Sequence, residues 1–147
     1  MTYYAVVDTN VVVSALLKEG SIPYQIIEFI RLNKIKPLYN EDVISEYVDV
    51  LVRNKFGFTK EQIKDMVALF LDHGIEMEPI EINEFFSDKD DKIFYQIVMS
   101  SRQTGENSRL ITSNTKHFPR KEYIVTPSEM IEIIETDEKL EKEKGAD

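Results

Sequence analysis

Four carboxylates occupy positions in this sequence where a metal ion or a phosphate can be met: Asp8, Glu46, Asp90 and Asp91. Asp8 closes the apolar run Tyr3-Tyr4-Ala5-Val6-Val7 and opens Thr9-Asn10-Val11-Val12-Val13-Ser14, so an acid sits where a buried strand hands over to a helix. In open parallel sheets the carboxyl ends of the strands face the crevice that binds ligands. The plainer reading of Asp8 is an N-cap for the helix at Thr9, a common task for aspartate. Asn10 and Ser14, four apart and hence on one helical face, favour the chemical reading, because they can orient a carboxylate or a water.

Glu46 falls three residues after Val43 and four before Val50, at the border of a buried helical face. A surface glutamate paired with a nearby base would explain it taken alone. Asp88-Lys89-Asp90-Asp91 precedes the apolar positions Ile93, Phe94, Ile97 and Val98; helix capping accounts for one of these aspartates and not for three. A calcium loop is excluded, because Lys92 and Ile93 fall where such a loop needs an oxygen ligand and a glycine. Thr112-Ser113-Asn114 brings hydroxyls and an amide to the strand edge that carries Asp8, with an ordinary turn as the alternative; His117 nearby reads as structural or incidental. Two carboxylates ~4 Å apart repel by about 4 kcal/mol at an effective dielectric near 20, so converging acids need a cation or raised pKa values.

The elements that must position these groups follow from periodicity. Tyr3 to Val7 is a short strand buried on both faces. Thr9 to Lys18 is a helix with Val12, Val13, Leu16 and Leu17 on its apolar side, and Ile22 to Asn33 is a second, with Pro23 in its first turn. Lys36 to Tyr39 is a strand; Asn40 caps a helix running to about Arg53, with Glu41 and Asp42 suited to its dipole. Thr59-Lys60-Glu61-Gln62 is a capping box for a helix to Asp72 burying Ile63, Val67, Phe70 and Leu71. Glu76 to Ile82 is an edge strand or extended link, because Pro79 lacks a ladder donor. Asp91 to Ser101 is helical, Arg109 to Thr112 and Tyr123 to Val125 are strands, and Thr126-Pro127-Ser128-Glu129 starts a last helix. Such alternation implies a parallel sheet covered by helices on both faces.

A chain of 147 residues with 42% hydrophobic content fits one domain. The absence of cysteine removes disulfides and thiolate chemistry, and two histidines are too few for a typical zinc hydrolase, so any metal should be a hard cation on carboxylates, magnesium or manganese. A net charge of -9 argues against a simple nucleic-acid-binding module. It leaves room for a nuclease whose metal and local clusters, Arg31, Lys34, Lys36 and Lys116, Arg120, Lys121, offer a positive face. With neither a leader pattern nor a membrane-length apolar run, a cytoplasmic location away from membranes is the expectation.

The order Val7-Asp8-Thr9-Asn10-Val11 with Ser14, Ser45-Glu46-Tyr47, Asp88-Lys89-Asp90-Asp91, and Leu110-Ile111-Thr112-Ser113-Asn114 running into Lys116-His117-Phe118-Pro119 resembles the PIN domain family over about Tyr3 to Glu129. These are metal-dependent ribonucleases that include toxins of toxin-antitoxin pairs. The resemblance implies a three-layer α/β/α fold with a central parallel sheet of about five strands in a nuclease domain at 1–135; the charged remainder at 136–147, whose apolar residues are Leu140 and Ala146 alone, reads from its composition as a flexible tail or a frayed helix extension. The resemblance also implies Asp8, Glu46 and Asp91 as catalytic metal ligands for Mg2+ or Mn2+, with Asp90 able to share the task. Asn10, Ser14, Thr112 and Asn114 would position water or phosphate. RNA is the implied substrate, cleaved by a metal-activated water to leave a 5'-phosphate and a 3'-hydroxyl; a cognate antitoxin and self-association are the implied partners. The family often carries a further aspartate near Ser113-Asn114, so a second metal here should bind weakly or only with RNA.

Two rival readings remain at this point: a non-catalytic RNA- or protein-binding module of the same fold, and a phospho-receiver domain. The receiver lacks its phosphoacceptor, since the strand Lys36 to Tyr39 is followed by Asn40. A two-aspartate phosphatase would need an acid at position 10, which is asparagine.

Overall fold

The structure, a computed structural model, describes residues 1–145. Strand β1 is Tyr3–Val7, and Ala5, Val6 and Val7 are entirely buried, as a central strand between two helical layers requires. Helices α1 (Thr9–Leu17) and α2 (Ile22–Arg31) follow; the Ser21 side chain accepts from the Tyr24 N–H to cap α2. β2 is Ile35–Tyr39 and α3 is Glu41–Leu51, capped by Asn40 through the Val43 N–H at 2.9 Å. A single 3-10 turn, Asn54–Phe56, leads to α4 (Lys60–His73), which starts with the expected Thr59/Gln62 capping box. β3 is only Ile75–Glu76. Then come α5 (Lys89–Gln103), β4 (Arg109–Ile111), a 3-10 turn at Thr115–His117, β5 (Ile124–Val125) and α6 (Pro127–Gly145).

All strand pairings are parallel and the order is β3-β2-β1-β4-β5, a five-stranded sheet in a three-layer α/β/α fold. The chain winds outward from β1 through β2 to β3, then crosses to the other side of β1 for β4 and β5. The strand order therefore reverses between β1 and β4, and a doubly wound sheet opens its ligand crevice at the carboxyl ends of such a pair. β3 pairs only with Leu38 and Tyr39, beyond Pro37, which has no N–H to give a neighbour.

Packing moved several expected positions. Leu17 and Leu71 are exposed, while Val11 in α1 and Met66 and Leu69 in α4 are buried instead. The reason for α4 is local: Phe70 packs edge-on against Tyr47 of α3, 5.0 Å between ring centroids, and this turns Met66 and Leu69 inward and Leu71 out. The segment expected as an edge strand from Glu76 to Ile82 leaves the sheet after Glu76. It is tied to α5 instead, by Ser100 Oγ donating to the Glu78 carbonyl at 2.6 Å and Gln96 Nε2 donating to the Ile80 carbonyl at 3.0 Å.

The tail placed at 136–147 is helical through Gly145, and the rest of it, residues 146–147, lies outside the described residues. Its first turns are engaged: the Tyr3 hydroxyl donates to Asp137 Oδ2 at 2.7 Å, and Lys34 Nζ meets Glu138 Oε1 at 2.7 Å. Lys34 and Arg31, the latter paired with Glu28 at 3.1 Å, are thus neutralised by acids and do not form a free positive face. No helix among the described residues is long and apolar enough to cross a membrane.

Candidate active site

Asp8 is placed by the sheet. Val7 and Ile111 are partners in the β1–β4 register, and the Asp8 N–H continues that pairing by donating to the Ile111 carbonyl at 2.9 Å. Its side chain, only 6% exposed, makes no helix-capping bond. Asp8 Oδ2 accepts instead from the hydroxyl of Thr112, the residue after β4, at 2.7 Å. Thr112 is itself completely buried, and its Oγ1 also accepts the Asn114 N–H at 3.0 Å. Asn10 Oδ1 accepts the Ser113 N–H at 3.4 Å, a second tie between α1 and the loop after β4. Asn10 and Thr112 thus position other groups, while Ser14 and Asn114 stand on the pocket wall.

Helix α3 delivers Glu46. It is pinned at the adjacent residue: the buried Tyr47 hydroxyl donates to the Val7 carbonyl, directly before Asp8, and its ring lies between Phe70 and Phe94. Helix α5 delivers the remaining acids. Asp88 Oδ1 accepts the Asp90 N–H at 2.9 Å and is the cap, so Asp90 and Asp91 fall in the first turn. Asp8, Glu46, Asp90 and Asp91 line one open pocket of about 450 Å³.

The acids do not share that pocket evenly. Burial, then the Asp90 carboxylate, pushes Glu46 up to about 7. Burial, then Asp8 and Asp88, pushes Asp91 up to about 6, against the opposing pull of His117, whose Nδ1 is 3.4 Å from Asp91 Oδ2. Burial also raises Asp8, opposed by the Thr112 hydrogen bond. Each shift is caused in part by other acids of the pocket, Asp90 for Glu46 and Asp8 with Asp88 for Asp91, so the four carboxylates act on one another across it. Among the described residues no three acidic or histidine side chains stand close enough to hold one ion as placed. The donor chemistry fits a hard divalent cation: carboxylate oxygen ligands and concentrated negative charge.

Two pocket residues escaped the sequence reading. Arg53 stands on the wall and lowers the Glu46 pKa; it lies beyond the end of α3 in extended backbone, so no helical spacing announced it. His117, taken as incidental, lies within reach of Asp91 because the turn Thr115–His117 folds the loop back over α5.

A doubly wound sheet with clustered acids at its switch point defines a nuclease-type α/β domain. The sequence matches the PIN domain over residues 4–116, and the chain belongs to that family. PIN domains are generally nucleases and typically use divalent metals. No curated protein matches the sequence.

Proposed function

We propose that this protein is a magnesium- or manganese-dependent endoribonuclease and the toxin of a toxin-antitoxin pair. The observation that carries the nuclease reading is Asp8: a buried carboxylate at the switch point that is held by Thr112, caps nothing, and shares its pocket with Glu46, Asp90 and Asp91. Asp8, Glu46 and Asp91 would hold the ion, with Asp90 beside Glu46. A divalent ion there supplies acidification of a water and neutralisation of phosphate charge. The chain's own part is orientation. Thr112 fixes the Asp8 carboxylate, Asn10 anchors the loop after β4, and Ser14 and Asn114 offer hydrogen bonds to a water or phosphate oxygen.

The test is cleavage of end-labelled RNA with manganese or magnesium. Products carrying a 5'-phosphate and a 3'-hydroxyl, lost on chelation and reduced about a hundredfold or more by Asp8→Asn, are expected. Asp8→Asn should leave the metal-free melting temperature unchanged or higher, because it removes a buried charge while keeping an oxygen for Thr112. A large fall in that temperature would make Asp8 a structural residue. The toxin role is tested by whether a small adjacent reading frame encodes a protein that binds and silences this one. The amide at Asn114 on the pocket wall and the acidic surface favour one second reading, a non-catalytic RNA-binding module, for which metal-independent binding without cleavage is the diagnostic result.

A further inference from the structure

The link between β3 and α5 carries two adjacent phenylalanines with opposite environments. Phe86 is packed inward, its ring 5.3 Å from Tyr95 and 6.0 Å from Phe118. That anchorage leaves Phe85 outside, 90% exposed. One exposed apolar side chain is ordinary by itself; the surroundings of this one are not. Phe85 borders a hollow of about 360 Å³ that shares Asp88, Asp91 and His117 with the acidic pocket and ends at Lys116. Lys116 in turn opens a further hollow of about 430 Å³, lined by Arg120 and Lys121 and, as its one acid, by Glu129, whose carboxylate accepts the Thr126 N–H at 2.9 Å. None of these three bases forms an ion pair among the described residues, whereas Arg31 and Lys34 do. The acids, an exposed aromatic face and a basic patch thus lie in a row on a chain whose net charge is -9.

We propose that this row is a binding path for single-stranded RNA: a base beside the scissile phosphate stacks on Phe85, and the phosphates that follow rest on Lys116, Arg120 and Lys121. The path deepens the nuclease reading and rests on it for its direction from the acids outward. Stacking needs an unpaired base, because both faces of a base inside a duplex are covered by its neighbours. The basic patch also gives an acidic protein a local means of holding a polyanion.

The experiment measures fluorescence anisotropy of a labelled single-stranded RNA and its duplex with full-length protein carrying Asp8→Asn, so that cleavage does not intervene, in manganese at several salt concentrations. Phe85→Ala should weaken single-strand binding about tenfold and Phe85→Tyr should restore it. Replacing Lys116, Arg120 and Lys121 by Gln should reduce the slope of log affinity against log salt by about 2. Unchanged binding by Phe85→Ala, or a duplex bound as tightly as the single strand, overturns the path, and the first result would return Phe85 to a protein partner. Cleavage by the chain with native Asp8 is scored separately. If that chain cuts RNA but Phe85→Ala binds and cuts equally well, the path falls and the nuclease stands. If it cuts no RNA while Phe85→Ala still loses binding, the nuclease reading falls and the path survives as a binding surface.

Discussion

Asn114 places an amide, and no charge, on the wall of a pocket otherwise rich in carboxylates. It stands on the pocket wall with its N–H on Thr112 Oγ1, so its side chain is free to be replaced without breaking the Thr112–Asp8 bond. Asn114→Asp adds a negative charge where cations are to bind, and it should lower the manganese concentration needed for half-maximal cleavage several-fold. A titration giving an equal or higher requirement would assign Asn114 to the loop or the substrate. A second expectation concerns protons. Glu46 and Asp91 take up protons near 7 and 6 in the folded chain, against about 4 when unfolded. The folded state is the tighter proton binder, so their contribution is present at about pH 4 and is lost as pH rises through about 6 to 7. The metal-free melting temperature should therefore fall over that interval, and saturating manganese should oppose the fall by displacing the protons. Parallel melts with and without manganese that slope alike would show that these acids do not hold the ion.

The site is assembled from the end of β1, the middle of α3 and the first turn of α5. β1 gives Asp8, α3 gives Glu46 and α5 gives Asp90 and Asp91, and Tyr47 ties α3 to the Val7 carbonyl so that the first two stay in register. The opposite end of the sheet depends on Gly74, between α4 and β3. A Cβ there would stand 2.5 Å from both the Phe70 and Pro37 carbonyl oxygens and 3.0 Å from Tyr39 Cδ1, so backbone must move to accept one. Gly74→Ala should cost about 1–3 kcal/mol in urea unfolding. Because β3 is remote from the strand pair that carries Asp8, metal-dependent cleavage per folded molecule should be unaffected. A variant as stable as the parent would show that α4 can be displaced without penalty.

Across the whole molecule, α6 closes the fold by bringing its middle turns back to the start of β1. Tyr3, 6% exposed, loses the acceptor of its hydroxyl if the chain is cut after Thr136, and Lys34 loses Glu138. The Lys34 pair is well exposed at both ends and contributes little. The Tyr3 bond carries most of the effect, so truncation after Thr136 should lower unfolding free energy by about 1–2 kcal/mol while leaving a folded sheet. Equal stability of the two forms in a urea titration would mean that residues 137–147 are a separable tail after all.

Local chemistry was enough to fix much of this protein. A β-branched and aromatic run wrote β1; Asn40, Thr59 with Gln62, and Thr126 with Glu129 wrote helix starts that the structure reproduces, because a cap is satisfied within four residues of chain. The order of acids along the chain likewise identified Asp8, Glu46, Asp90 and Asp91, all of which reach one pocket. Tertiary structure decided what depends on partners distant in sequence. Thr112, 104 residues from Asp8, turned a candidate cap into a held carboxylate. The meeting of Glu46 and Asp90 at one pocket and the outward turn of Leu71 came from the packing of α3, α4 and α5, and the entry of Arg53 and His117 from the turns beside them. Tyr3 and Lys34 likewise gave the C-terminal helix partners that no local pattern contains. Periodicity states which face of an element is apolar; only the meeting of elements sets its rotation and the distances between the charges it carries.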